Sequence, residues 1–107
     1  MKSFEDRQKG YEAEFTRNQE LTFRVTARRN KLFGLWAAEK LGLAGGEPAD
    51  AYARAVVDVD FEVPGDSDVI GKVRTDLAAK GIDLSETQLR AELTRAAEEA
   101  RRQLTEK

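Results

Sequence analysis

Residues 84–104, LSETQLRAELTRAAEEARRQL, decide the fold class of this chain. Ser85 and Gln88 have the spacing of a capping box. In this motif the serine hydroxyl accepts a hydrogen bond from the backbone N–H three residues later, and the glutamine side chain accepts one from the backbone N–H of the serine. After them, apolar residues recur every three or four positions, which is the period of a helix. The stretch predicts a helix that buries one face, with Leu89, Leu93, Ala96, Ala100 and Leu104 on that face.

Glycine and proline residues divide the rest of the chain into three further segments. Each has apolar residues at helical spacing, so the sequence predicts an all-α four-helix bundle with a mobile N-terminal segment. The first helix runs from near Leu21 to Gly42, the second begins around Pro48, and the third is capped by Asp66 or Ser67 and ends at Gly81. The predicted stripes are Leu21, Val25, Leu32 and Trp36; Tyr52, Val56, Val59 and Val63; and Val69, Val73 and Leu77.

Residues 57–63 also fit a different element, because apolar and acidic residues alternate there as in a strand. A single strand would leave its backbone groups without partners, and no other segment offers a second strand. We therefore predict a helix here, with the strand as the alternative.

The composition limits what the protein can do. The 107-residue chain carries 18 basic and 20 acidic residues, for a net charge of −2, whereas nucleic-acid binders usually have a positive excess. It contains no histidine and no cysteine, which removes the commonest general base and the commonest metal ligands. No stretch approaches the roughly 20 apolar residues that span a bilayer. We expect a soluble cytoplasmic domain that is not an enzyme and uses no cofactor or metal.

Residues 1–19 differ in composition from the predicted bundle of residues 20–107. Between the initiating methionine and Leu21, the only large apolar residues are Phe4, Tyr11 and Phe15, set among charges of both signs. In a helix these three rings share an arc of about 40°. We expect this N-terminal segment to be partly disordered when free and helical when its rings enter a groove on a partner. The alternative is that the rings pack back onto the bundle.

A basic face is predicted further along the first helix. Arg24, Arg28 and Lys31 share one side, with Arg29 beside them and no acidic residue between Glu20 and Glu39. Three interpretations of this face are open. It is exposed to solvent, it pairs with the acidic residues between 58 and 68 within the bundle, or it contacts another protein. Nucleic acid is a weaker alternative, because the pattern predicts no aromatic residue on that face that could stack on bases.

Two segments resemble ligand-binding motifs but lack the residues or the spacing that those motifs require. Residues 58–62 begin like a calcium loop, but Val63 and Val69 stand where the loop needs glycine and glutamate. The stretch from Gly65 to Lys72 is one residue too long for a phosphate loop, and Val73 replaces the magnesium-binding hydroxyl.

The run ARRNKLFGLWAAEKLG at residues 27–42, together with Phe4-Glu5-Asp6-Arg7, Glu12 and Phe15, resembles the ATPase inhibitor zeta subunit family of alphaproteobacterial F-type ATP synthases. Pro64-Gly65-Asp66, Asp68-Val69 and Lys72-Val73 also fit, so the resemblance covers the whole chain. Two positions depart from the family pattern. Gln8 occupies a position where the family tends to have an acidic residue, and Gly10 one where a helix-forming residue is usual.

The resemblance implies an inhibitor subunit whose N-terminal helix wedges into the alpha–beta catalytic interface of the synthase head. There it also contacts the gamma rotor and blocks ATP hydrolysis. The bound protein would be peripheral to the inner membrane and would not insert into it. The implied inhibitory contacts are Phe4, Glu5, Asp6, Arg7, Tyr11, Glu12 and Phe15, and a secondary contact is predicted for Arg24, Arg28, Arg29 and Lys31. The alternative is a helical adaptor that binds nucleic acid or an acidic protein through the face around Arg24–Lys31.

Overall fold

The protein is described by a computed structural model over residues 4–43, 45–62 and 65–105, with side chains described from residue 19 onward within those ranges. Within them the chain forms four helices and no strand: α1 (Phe4–Lys40), α2 (Glu47–Glu62), α3 (Asp66–Ala79) and α4 (Glu86–Thr105). The predicted four-helix, all-α fold is confirmed. Residues 57–62 are helical, so the strand alternative was wrong, and Val63 lies outside the described residues.

Local sequence signals set several helix ends. Gln88 N–H donates to Ser85 Oγ at 3.1 Å, and Ser85 N–H donates to Gln88 Oε1 at 2.9 Å, which is the predicted capping box. Gly42 and Gly81 adopt φ values of 81° and 79° just beyond α1 and α3. After each glycine, the next N–H reaches a carbonyl five positions back at 2.9 Å, which satisfies the end of the helix.

The predicted cap of α3 was wrong. Gly65 is the N-cap residue of α3, so no side chain caps that end, and Asp66 and Ser67 lie within the first turn. The Asp66 carboxylate instead pairs with Arg29 of α1 at 3.1 Å. A long-range ion pair has therefore taken the place of a local cap.

Helix α1 is the centre of the bundle, because it packs against α2, α4 and α3. Its buried arc is consequently wider than the single predicted stripe. Val25 is buried as predicted, and Leu32 and Trp36 are partly buried. The largest fully buried side chain of α1 is Phe33, which is 1% exposed. In the other helices, most of the predicted stripe residues are buried: Val56, Val69, Val73, Leu77, Leu89, Leu93, Ala96 and Ala100. Tyr52, Val59 and Leu104 are partly buried.

Gly34 brings α1 and α2 into direct backbone contact. A Cβ at this position would stand 2.7 Å from the Ala53 Cα and 3.2 Å from a methyl carbon of Val56. Real Cβ atoms do not approach backbone so closely, so only glycine fits without moving a helix. Buried alanines on both helices, including Ala37 and Ala53, extend the close packing.

Helix α1 contains 37 residues and is about 55 Å long. Its backbone passes from the N-terminal segment into the bundle without a break at residue 20. The described buried residues of α1 all lie between Val25 and Ala38. The division into residues 1–19 and 20–107 is therefore not a helix end, and the partial disorder expected for residues 1–19 stays a prediction.

Candidate partner-binding surface

The predicted inhibitory residues lie on the N-terminal part of α1, where the backbone is helical from Phe4 onward. Their side chains lie outside the described part of the structure. The assignment of contacts therefore stays a prediction for all seven positions: Phe4, Glu5, Asp6, Arg7, Tyr11, Glu12 and Phe15.

One of the four predicted basic contacts holds the bundle together. Arg29 is mostly buried, with 14% of its side chain exposed, and its guanidinium pairs with Asp66 at 3.1 Å. Its Nε also donates to Asn30 Oδ1 at 3.0 Å, and Asn30 Nδ2 donates to Asp60 Oδ2 at 3.0 Å. Asp60 Oδ1 accepts the N–H of Gly65 at 3.2 Å. We call these five residues the Arg29–Asn30 network, and it joins α1 to the end of α2 and the start of α3.

The network was only partly foreseen. The interpretation of the basic face as a partner for the acidic residues between 58 and 68 holds for Arg29. Asn30 was missed, although it is fully buried. An asparagine on a helix usually faces water, and only the position of Asp60 on another helix explains its burial.

The other three cations share a surface groove. Arg24, Arg28 and Lys31 line a depression of about 370 Å³, together with Phe23, Ala27, Val57 and Leu104. Arg24 and Lys31 are exposed, whereas Arg28 is half-buried and donates to Gln103 Oε1 of α4 at 2.9 Å. The groove therefore lies across the outer face of α1, between α2 and α4, and we call it the basic groove.

An aromatic pair adjoins the basic groove. Phe23 is 58% exposed and Phe61 is 60% exposed, and they are the exposed large hydrophobic side chains in the described part of the chain. Their ring centroids are 5.6 Å apart, with an interplanar angle of 64°. The expectation that no aromatic residue accompanies these cations was wrong. Phe23 lies beside Arg24 in the groove, and Phe61 comes from α2, so spacing along one helix could not reveal the pair.

A second polar cluster lies between α2 and α3, away from the groove. The Tyr52 hydroxyl donates to Asp76 Oδ2 at 2.7 Å, and Lys72 Nζ lies 3.1 Å from the same oxygen. Burial and the neighbouring Asp76 carboxylate raise the pKa of the Tyr52 phenol. Tyr52 therefore stays protonated and serves as a packed hydrogen-bond donor.

The described residues offer no assembled metal site, since no three carboxylate side chains among them are close enough to share an ion. None of the helices in the described ranges is long and apolar enough to cross a membrane.

A comparison with protein-family models gives a match over nearly the whole chain. A family model for the ATPase inhibitor subunit zeta matches residues 1–103. The chain belongs to this family. No curated protein matches the chain. The resemblance found in the sequence is thereby confirmed, and an inhibitor subunit suggests a regulatory, non-catalytic protein.

The structure explains much of the run at residues 27–42 on which the zeta-family resemblance depends. Arg29 and Asn30 form the network to α2 and α3. Phe33 fills the core, and Gly34 permits the contact with Ala53. Trp36 stacks on Phe33 with centroids 5.6 Å apart and lies at the edge of the core, as predicted. This most distinctive run therefore builds the bundle.

Proposed function

We propose that this zeta-family chain inhibits ATP hydrolysis by an F-type ATP synthase. In this proposal, the N-terminal segment enters the alpha–beta catalytic interface of the synthase head as a helix and contacts the gamma rotor. On this view the protein works in the cytoplasm, at the inner membrane while it is bound to the synthase. The match to the inhibitor family over residues 1–103, which includes the N-terminal segment, is the observation that carries the proposal.

The architecture supports a wedge mechanism. The described buried residues of α1 begin at Val25, while the helix itself begins at Phe4. A helix whose C-terminal half is fixed in a bundle can present its N-terminal half to a partner at a defined angle. Inhibition by insertion requires buried anchors and correct register, and it needs no nucleophile, general base or metal.

The energetics allow three aromatic anchors to drive insertion. Burying each ring is worth roughly 1.5–3 kcal/mol, and ordering a disordered segment costs about 2–5 kcal/mol. Association entropy adds to that cost, so polar contacts from Asp6, Arg7 and Glu12 are expected to contribute register and affinity.

The test is a double substitution, Phe4→Ala with Tyr11→Ala, in the full chain. We expect loss of ATPase inhibition, at least about a hundredfold in the inhibition constant, because two of three anchors are removed. The melting temperature should not change, because in this proposal both rings contact the synthase and not the bundle.

A matched control is Lys9→Ala with Arg17→Ala, which changes the same segment about 140° away from the ring stripe. This variant should keep inhibiting. If the Phe4/Tyr11 variant inhibits like the unmodified chain, the wedge assignment is wrong.

A further inference from the structure

The basic groove and the aromatic pair form one continuous surface on the bundle. Phe23 belongs to both, and Val57 of α2 lies in the groove and beside the pair. Among the groove-lining residues that the structure describes, three are cationic, four are apolar and none is acidic. Such a composition is unusual in a chain of net charge −2.

The aromatic pair is poorly explained by the fold. Two phenylalanines that are more than half exposed contribute little to the core, although each could bury far more area against a partner. Aromatic residues and arginine are the types enriched in protein interfaces. A half-exposed ring pair with an adjoining row of cations therefore has the composition of a contact surface.

We propose that this surface is a second contact with the synthase head, and that its occupant is an acidic protein surface with an apolar centre. The inference rests on the proposed function and extends it from the N-terminal segment to the bundle. The carboxylates of the partner would face Arg24 and Lys31, and its apolar side chains would cover Phe23 and Phe61.

Helix geometry supports this placement. Phe23 follows Phe15 by eight residues on the same unbroken helix, a distance of about 12 Å. When the N-terminal segment is seated, Phe23 consequently lies close to the entrance of the interface. The second contact is thus continuous with the first.

Charge and ring geometry favour a protein over nucleic acid. The chain as a whole carries a net charge of −2, whereas proteins that bind nucleic acid usually have a positive excess. The two rings also pack edge to face against each other instead of presenting parallel faces to bases. Arg28 donates a hydrogen bond to Gln103, which leaves two exposed cations, Arg24 and Lys31, for phosphate contacts.

The experiment measures binding of full-length variants to the isolated catalytic head of the synthase, at low and at physiological salt. Arg24→Glu with Lys31→Glu should slow association, raise Kd about tenfold, equivalent to about 1.4 kcal/mol, and weaken the salt dependence. Phe23→Ser with Phe61→Ser should raise Kd by about the same factor through faster dissociation. Inhibition at saturating concentration should persist in both, because the N-terminal segment is intact.

The matched control is Arg74→Glu with Lys80→Glu, a double charge reversal at exposed positions of α3 and its end. It should bind within about twofold of the unmodified chain. Melting temperatures of the two charge-reversal variants should agree with that of the unmodified chain, since their changed side chains are exposed. The Phe23/Phe61 variant should melt slightly lower, because it loses the edge-to-face contact, so its binding is measured well below its melting temperature.

The outcomes separate the two proposals. If the unmodified chain does not bind the head, the proposed function is wrong, and the second contact is wrong with it. If the unmodified chain binds and both surface variants bind equally well, only the second contact is wrong. The assigned occupant is wrong if the head binds the surface variants as tightly as the unmodified chain while a nucleic-acid probe, or a second copy of this chain, binds the surface.

Discussion

The two halves of α1 share one backbone helix but have opposite relations to the rest of the molecule. In the bundle half, residues 20–40, Arg29, Asn30, Phe33 and Gly34 each have an identified partner in another helix or in the core. The N-terminal segment, residues 1–19, has no aliphatic residue larger than alanine except the initiating methionine, and its large apolar side chains are three rings. Both halves fall within the family match.

The most recognisable sequence of this chain is not the segment that is proposed to bind the partner. The run at residues 27–42 carries the longest part of the resemblance to the family, and the structure gives its central residues structural roles. The segment proposed to act on the partner is shorter and simpler in composition. Substitutions in the bundle half should therefore change stability first, and substitutions in the N-terminal segment should change inhibition first.

The largest expected effect tests the bundle half at its tightest point. Gly34→Val should lower the free energy of unfolding by about 3 kcal/mol, because the new side chain would meet the Ala53 Cα, which a Cβ already approaches to 2.7 Å. Urea denaturation measures this loss, and inhibition should fall only in proportion to the unfolded fraction.

Gly71→Val is the matched control, since Gly71 lies on an exposed face of α3 with no atom within 4 Å of an added Cβ. Its stability should change by less than about 0.5 kcal/mol. Equal losses for the two variants would show that the contact between α1 and α2 is not the constraint.

A smaller loss is expected when the Arg29–Asn30 network is opened. Asn30→Ala removes the donor to Asp60 and the acceptor for Arg29, so we expect a loss of about 2 kcal/mol in denaturant unfolding. Gln103→Ala deletes an exposed amide that accepts from Arg28 and should cost less than about 0.5 kcal/mol. A loss at Asn30 no greater than at Gln103 would contradict the role given to the network.

The smallest expected effect comes from a substitution in the N-terminal segment, which should change inhibition but not stability. Gly10→Ala should leave bundle stability unchanged but lower the inhibition constant up to about fivefold, because alanine favours the helix by about 1 kcal/mol over glycine. Steady-state ATPase assays measure the shift. An unchanged constant would indicate that the segment is already fully helical before it binds, against the predicted partial disorder.

Local sequence patterns predicted the elements that local chemistry determines. The capping box at Ser85 and the glycines after α1 and α3 set helix ends through bonds between neighbouring residues. Where a remote residue intervened, the prediction was wrong, as at Asp66, whose carboxylate binds Arg29 of α1.

Contacts between side chains of different helices could not be predicted from the sequence. Asn30 became a core residue because Asp60 meets it from α2, and Phe23 became part of an aromatic pair because Phe61 does. Neither partner is close in sequence, so helical periodicity carried no signal for them. The wider buried arc of α1 has the same cause, since three helices pack around it.

In the proposed mechanism, the N-terminal rings contact the synthase and not the bundle. The most direct measurement places a photo-crosslinking phenylalanine analogue at position 11 and irradiates the inhibited complex during ATP turnover. We expect crosslinks to the alpha or beta subunit next to the rotor, and their loss when Phe4 and Phe15 are both changed to alanine. Crosslinks confined to residues 20–107 of the same chain would show instead that the rings contact the bundle.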